Sequence, residues 1–263
     1  MDTTTLVPMP DTALRLDQVW AALDLVNDPE LDEPITDMGF VESVAVDAEG
    51  GVDVAFRLPT YWCSPNFAFL MAQDIKSGID ALGWVRRSDV QLLDHMAAEE
   101  MNKVVNANGL FSDVFNELTK GEDLKALREK FDVKAFQRRQ EVVIKALKAQ
   151  GMTPDTLISL PLTTLQALNL GEAEPAKARY LKLGHAKGIL TDLALTTYQR
   201  APLTVAGFTD YMGLLRSVRI NMEFSGSLCR GLKSSRYQEL GADGVMAAFP
   251  STPPNLTQAK HCD

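Results

Sequence analysis

The sequence predicts an α+β protein in which a small N-terminal domain of order α-β-β-α-β precedes a mostly α-helical region. Two observations carry this prediction. Apolar residues alternate with a period of two in the segment 41–58, and a short strand pattern recurs around residues 90–93, whereas helical spacing dominates elsewhere. The charge is also uneven, since residues 1–95 hold 17 acidic and 5 basic side chains (net −12) and residues 96–263 hold 18 and 21 (net +3). This asymmetry indicates two structurally distinct parts.

The N-terminal domain is predicted to span residues 16–95, after a flexible leader at residues 1–15. Its first helix ends before Pro29, because a proline disfavours helical geometry in the residue that precedes it. A hairpin with Gly50-Gly51 as its turn then joins two strands of alternating pattern. A second helix has apolar residues at helical spacing and ends at Gly83, and a third strand follows around residues 90–93.

Residues 96–240 are predicted to form a helical domain, and residues 241–263 a disordered tail. Asp132 is interpreted as the N-cap of one helix, and Thr153-Pro154 as an N-cap followed by proline in the first turn. Four aromatic residues at helical spacing are interpreted as core rather than as a cofactor pocket: Phe111, Phe115, Phe131 and Phe136.

Composition excludes several classes of function. An acidic N-terminal half argues against a nucleic-acid partner, which requires Lys and Arg to neutralise phosphates. Neither GxxxxGK[ST] nor GxGxxG occurs, so no nucleotide is expected. No apolar run approaches the roughly 20 residues that cross a bilayer, and no secretory signal is recognisable, so we expect a soluble cytoplasmic protein without a membrane partner. Three scattered cysteines and three histidines form neither a disulfide framework nor a self-contained metal site.

Cys63 is the main candidate for chemistry. It lies between the hairpin and the second helix, where Ser64 is a suitable cap and Pro65 fits the first helical turn. At a helix N-terminus, unpaired backbone N–H groups and the helix dipole favour the ionised thiolate, the form that binds metals and transfers sulfur. The alternative is that Cys63 is a small buried hydrophobic residue, and the sequence alone does not decide between the two.

An ordered set of motifs in this domain resembles the metal–sulfur cluster biosynthesis family, which includes SufT-like and PaaD-like proteins and cytosolic iron–sulfur targeting factors. The resemblance covers about residues 16–95 and rests on Asp28-Pro29-Glu30, Ile35, Asp37, Gly39, Val41, the hairpin, and Pro59-Thr60-Tyr61 with Cys63 and Pro65. It implies a non-enzymatic factor that matures metal centres on an apoprotein client. It also implies that Cys63 is the functional thiol, surrounded by Asp28, Glu30, Asp37, Thr60 and Ser64.

The sequence departs from the family pattern at the cysteine, and a second resemblance in the longer layout suggests what the client is. The family pattern has cysteine directly before proline, whereas here Ser64 separates Cys63 from Pro65. The longer layout, including Asp94-His95, Glu100, Asn102 and Phe131–Phe136, resembles iron–sulfur assembly proteins associated with propane-type monooxygenases. That resemblance implies a client with a di-iron centre.

A single thiol cannot hold an iron–sulfur cluster, so transient iron or cluster binding would need other ligands. They would come from a second copy in a homo-oligomer, from the client, or from nearby Asp and Glu. His95 and Glu99, four residues apart, would share a helix face and could join Cys63 on one metal ion. The alternative is a strand end followed by an acidic helix N-terminus. For the acidic loop from Asp28 to Asp37, turn and cap roles are favoured over iron ligation.

Two other functions compete with the assembly factor. One is a metal-free adaptor or chaperone whose helical region grips an apoprotein. The other is a thiol enzyme, which is the weakest because no recognised catalytic motif surrounds Cys63. A late basic patch is either a solvated face or a docking surface for the acidic N-terminal module or an acidic client: Arg216, Arg219, Arg230, Lys233 and Arg236.

Overall fold

The computed structural model describes residues 10–119 and 124–237. The predicted tail and residues 1–9 of the predicted leader lie outside the described residues. Contacts divide the described residues into two compact units. The first contains those within Met1–Val26, Ile35–Val114 and Ser227–Asp263, and the second contains those within Asn27–Pro34 and Phe115–Gly226.

The chain is an α+β protein, as predicted, and its first hundred residues follow the predicted α-β-β-α-β order with one added hairpin. Its elements are α1 (Pro10–Leu23), β1 (Asn27–Asp28), β2 (Glu33–Pro34), β3 (Val41–Val46), β4 (Gly51–Arg57), α2 (Pro65–Asp80) and β5 (Arg87–Leu93). The added hairpin pairs β1 with β2 inside the acidic loop. Helix α1 begins at Pro10, six residues before the predicted start, and α2 ends at Asp80, before Gly83.

The main sheet has the order β3-β4-β5, with β3 antiparallel and β5 parallel to β4. Its core side chains alternate as the sequence predicted, and the buried ones include Val52, Val54, Phe56, Val90 and Leu92. The predicted glycine turn is confirmed. Gly50 has φ +91°, and a Cβ atom there would lie 2.8 Å from the carbonyl oxygen of Trp84, so both conformation and space require glycine.

Helix α3 (Ala98–Asn106) covers the outer edge of β5. The Asn102 side-chain oxygen accepts a hydrogen bond from the backbone N–H of Leu92 at 2.8 Å, and its amide nitrogen donates to the Leu92 carbonyl at 3.1 Å. Asn106 does the same with Val90, at 2.9 and 3.0 Å. Two asparagine side chains four residues apart thus pair an edge strand that would otherwise expose its backbone groups. They also fix the course of residues 94–97, which connect β5 to α3.

The rest of the described chain is mainly helical. Its elements are α4 (Phe111–Thr119), α5 (Lys125–Ala149), α6 (Pro154–Ile158), α7 (Leu162–Ala167), a 3-10 turn (Gly171–Ala173), α8 (Glu174–Ala186) and α9 (Val205–Arg236). The interpretation of Asp132 as an N-cap is wrong. Helix α5 begins at Lys125, so Asp132 lies within the helix, where its side chain forms an ion pair with Lys187. The Thr153 cap is confirmed, since its side chain accepts the N–H of Thr156.

The core of the second unit is built from buried residues of α5 to α8, of the first part of α9 and of the segments that connect them. Phe136 is fully buried, with its ring centroid 4.9 Å from that of Tyr180. Phe111 and Phe131 are also buried, so the interpretation of these aromatic residues as core is confirmed, while Phe115 is half-buried. In the part of the chain that the structure describes, no helix combines the length and apolar character needed to span a membrane.

Candidate functional site

Cys63 lies directly before the N-terminus of α2, as predicted. Ser64 is the N-cap residue and Pro65 is the first helical residue. The predicted side-chain cap is wrong, because Ser64 makes no side-chain cap hydrogen bond and only its carbonyl accepts N–H groups, from Phe67 and Ala68 at 3.1 Å each. Cys63 is half-buried and is not in a disulfide. The residue as a whole is therefore not fully buried, whereas the buried-hydrophobe interpretation would require full burial.

Thr60 and Cys63 are held together by a tight turn. The N–H of Cys63 donates to the carbonyl of Thr60 at 3.2 Å, and the Thr60 Oγ1 atom lies 3.1 Å from the Cys63 Sγ atom. Either atom can be the donor of this hydrogen bond, and an ionised sulfur could only accept it from the Thr60 hydroxyl. Trp62, within the same turn, is 68% exposed. The turn formed by residues 60–63 is called the thiol loop below.

His95 fixes the thiol loop from the neighbouring strand connection. Its Nδ1 atom accepts the N–H of Ala97 at 3.2 Å, so in the neutral ring Nε2 carries the proton and donates to the Cys63 carbonyl at 2.8 Å. Burial lowers the pKa of His95 below its ordinary value of 6.5, although the Cys63 carbonyl and the charge of Asp94 oppose this. The N–H of Met96 adds a second link, to the Tyr61 carbonyl at 2.9 Å.

Sequence reasoning missed this role of His95, although the predicted β-α-β order contained a signal for it. Because β5 runs parallel to β4, with Arg57 opposite Leu93, the carboxyl ends of both strands lie at one edge of the sheet. The loops that follow such ends come together. Parallel pairing therefore brings Asp94–Ala97 beside the thiol loop.

The structure does not support the premise that His95 and Glu99 share a helix face. Helix α3 begins at Ala98, so His95 precedes it, and Glu99 is exposed in its first turn. Both ring nitrogens of His95 already have hydrogen-bond partners. Within residues 10–119 and 124–237, no three His, Cys, Asp or Glu side chains are grouped to hold a metal ion. These residues do not fit a complete iron or cluster site, and ligation by Cys63, His95 and Glu99 stays a prediction.

The acidic loop belongs to the second unit from Asn27 to Pro34, and it is occupied by structural contacts. The Asp28 carboxylate accepts the N–H groups of Glu30 and Leu31 at 2.8 and 3.0 Å, which forms a turn. Arg139 binds Asp32, and Arg138 binds Glu33 at 3.0 Å. These contacts agree with turn and cap roles for the loop. Glu30 is half-buried, and Asp37, in the first unit, is exposed.

Comparison with known proteins finds a similarity for the N-terminal segment. Residues 16–92 match the model of a family described as iron-sulfur cluster assembly protein. This segment is therefore similar to that family. The match confirms the resemblance to metal–sulfur cluster biosynthesis proteins and supports a role in cluster assembly. The assembly segment includes Asp28, Thr60 and Cys63 but not His95 or the later helices. No curated protein matches the chain at a significant level.

Asp28 in the assembly segment is expected to destabilise the folded protein at neutral pH. Burial raises the pKa of Asp28 from 3.8 to about 6, and Glu30 and Glu33 add to this, while the two backbone N–H groups oppose it. Between these pH values the folded state binds more protons, so the free energy of unfolding falls as the pH rises. Asp28→Asn keeps an acceptor oxygen and should raise that free energy by about 2 kcal/mol at pH 8.

Urea unfolding at pH 8 and pH 4 measures this effect. The gain should shrink to about 0.5 kcal/mol near pH 4, where the carboxyl of Asp28 is protonated in the folded state and only partly ionised in the unfolded state. Asp32→Asn is the matched control, because it weakens the ion pair with Arg139 and should destabilise the protein at pH 8. A loss of stability in Asp28→Asn at pH 8 would contradict the expectation.

Part of the late basic patch docks on the assembly segment and the residues that follow it. Arg230 contacts the Met38 sulfur at 3.2 Å, Lys233 binds Glu42 at 3.1 Å, and Arg236 binds Asp94 at 2.9 Å. For Lys233 and Arg236, whose partners are carboxylates, the docking alternative from the sequence is confirmed. Arg219 instead binds Glu141 and Glu223. Cys229 is half-buried and is not in a disulfide, and Cys262 lies outside the described residues.

Proposed function

We propose that the chain is a non-enzymatic assembly factor that passes iron or an iron–sulfur cluster to an apoprotein client through Cys63. The supporting observation is a half-buried cysteine, at the N-terminus of α2 in a cluster-assembly segment, with a threonine hydroxyl 3.1 Å from its sulfur. The family match supports a role in cluster assembly as such. The thiol, the cargo and the client are parts of the proposal.

The chemistry of the proposal is reversible ligation. Iron binds the thiolate of Cys63, so binding releases the thiol proton to solvent. The Thr60 Oγ1 atom lies 3.1 Å from the sulfur, so its hydroxyl can donate to the sulfur once the thiol proton has left. His95 holds the backbone of Cys63 rather than the cargo, since its two ring nitrogens bind the Cys63 carbonyl and the Ala97 N–H.

Because one chain supplies too few ligands to hold a cluster, the proposed role is to carry the iron or cluster to a client rather than to store it. A cluster needs about four protein ligands, and the described residues contain no group of three His, Cys, Asp or Glu side chains placed to hold a metal ion. The remaining ligands therefore come from the client or from a second copy of the chain. A cargo held through one protein thiol is readily transferred to a site that supplies more ligands.

The surroundings of the thiol suit contact with another protein in the cytoplasm. Trp62 and Met96 are 68% and 50% exposed, and they belong to the two chain segments that meet at the thiol loop. Exposed Trp and Met are typical of protein interfaces. The client that we propose is a component of a soluble di-iron monooxygenase, on the basis of the resemblance in the longer layout.

Anaerobic reconstitution with ferrous iron and sulfide tests the cargo. We expect the wild-type chain to retain iron, and Cys63→Ala to retain none, while the matched control Cys229→Ala behaves as wild type. Iron with sulfide would identify a cluster, and iron alone would identify an iron cargo. Equal metal retention by Cys63→Ala and wild type would refute the role of Cys63. No retained metal in the wild type would favour the metal-free adaptor, which must then depend on the helical region.

A further inference from the structure

The C-terminal end of α9 contacts the thiol loop and the connection that holds it. The Arg236 Nη2 atom donates to Asp94 at 2.9 Å, and the guanidinium carbon lies 5.8 Å from the centre of the Trp62 ring. The Tyr237 hydroxyl donates to the same carboxylate oxygen of Asp94. Burial and the hydrogen bond to Asp94 raise the pKa of Tyr237, so this hydroxyl remains a donor.

Asp94 has a backbone conformation that needs support. Its φ is +48°, in the left-handed region that residues other than glycine use sparingly. This conformation directs the chain from β5 toward His95, whose ring binds the Cys63 carbonyl. Two donors on its carboxylate, from Arg236 and Tyr237, hold Asp94 in place. Strained residues that persist are held by their surroundings in this way.

Contacts from Arg236 therefore reach Cys63 by two short paths. One runs through Asp94 and His95 to the Cys63 carbonyl, and the other runs through the Trp62 ring to the residue next to Cys63. Arg230 and Lys233, earlier in α9, contact Met38, Gly39 and Glu42 instead. Because Arg230 and Lys233 do not contact Asp94 or Trp62 in these hydrogen bonds, a substitution of Arg236 should change the thiol loop while the earlier contacts still hold the end of α9.

We propose that Arg236 and Tyr237 are positioning residues for Cys63. They fix Asp94 and Trp62 and thereby hold the thiol loop in the conformation that presents the sulfur. This inference rests on the proposed function of Cys63. It adds the C-terminal end of α9 to the proposed site of cargo transfer, although Arg236 lies 142 residues after Asp94 in the sequence.

Hydrogen exchange of the full chain tests the positioning role. The N–H groups of Cys63 and Met96 bond to the thiol loop, at Thr60 and Tyr61, and report whether the loop is held. We expect Arg236→Ala to speed their exchange about tenfold, because the loss of the hydrogen bond to Asp94 lowers the free energy of local opening. Arg236→Lys keeps the charge but lacks the planar group over Trp62, and should show a smaller increase. Lys233→Ala is the matched control and should leave both amides unchanged.

Each outcome separates the inference from a general loss of stability. Wild-type exchange at Cys63 and Met96 in Arg236→Ala would overturn it. Equal acceleration of the sheet amides of Val54 and Val90 would also overturn it, since the variant would then weaken the whole unit. Iron transfer to the client should fall several-fold in Arg236→Ala, and unchanged transfer would overturn the functional half. Normal client iron with Cys63→Ala would instead refute the role of Cys63 and leave the exchange result standing.

Discussion

A client protein produced together with Cys63→Ala is expected to contain no more iron than a client produced without the assembly factor. The variant removes the thiolate that we propose as the point of cargo attachment, and alanine offers no replacement ligand. The fold should persist, because Cys63 is half-buried and its backbone bonds to Thr60 and His95 remain available. Iron per client chain, measured on the hydroxylase component of a soluble di-iron monooxygenase, checks the expectation.

Two further variants sharpen this result. Cys229→Ala removes a half-buried thiol on α9 and should leave client iron at the wild-type level. Thr60→Val keeps the size of the side chain but removes the hydroxyl beside the sulfur, and should reduce client iron without abolishing it. Full iron loading of the client by Cys63→Ala would exclude Cys63 as the point of cargo attachment and would favour the metal-free adaptor.

Arg139→Ala is expected to lower the free energy of unfolding by about 3 kcal/mol, the largest stability effect that we predict. The Arg139 guanidinium bonds to both carboxylate oxygens of Asp32, at 2.9 and 2.5 Å, and to the Arg179 carbonyl at 3.1 Å. The Asp32 side chain is only 4% exposed, so the substitution leaves a buried carboxylate without its cation. Asp32 also has φ +53° in the β1–β2 turn, which depends on the same contacts.

Urea unfolding followed by circular dichroism measures this loss. Lys145→Ala is the control on the same helix, since its ion pair with Glu141 is 54% exposed on the lysine side and should contribute less than about 1 kcal/mol. The double variant Asp32→Asn/Arg139→Gln should lose less than Arg139→Ala alone, because no unpaired charge remains. Equal losses for Arg139→Ala and Lys145→Ala would show that the pair is not effectively buried.

Local patterns in the sequence predicted most of the first unit. The alternation of Val52, Val54 and Phe56 and the turn at Gly50 act between near neighbours, so they can be read without tertiary contacts. Helix boundaries were less accurate. Asp132 is a good cap residue by type, but the preceding residues from Lys125 also favour a helix, and the tertiary ion pair with Lys187 uses the aspartate instead.

The candidate site was only partly predictable. Thr60 and Cys63 lie three residues apart, so a turn joins them and a motif can reveal them. His95 was singled out as a metal ligand on a helix, whereas its ring binds the Cys63 carbonyl 32 residues earlier. The premise that His95 and Glu99 are helical neighbours fails, because the chain makes a left-handed turn at Asp94 before α3 begins at Ala98.

The sequence by itself determined the α+β class, the order of the main strands and helices of the N-terminal domain apart from the β1–β2 hairpin, and the position of Cys63 before α2, since each depends on interactions within a few residues. Only the tertiary structure decided what surrounds the thiol. Parallel pairing of β4 and β5 brings His95 to the loop, and the docking of α9 brings Arg236 to Trp62 and Asp94. Contacts between residues so far apart in the chain depend on how the elements pack, and periodicity carries no information about that packing.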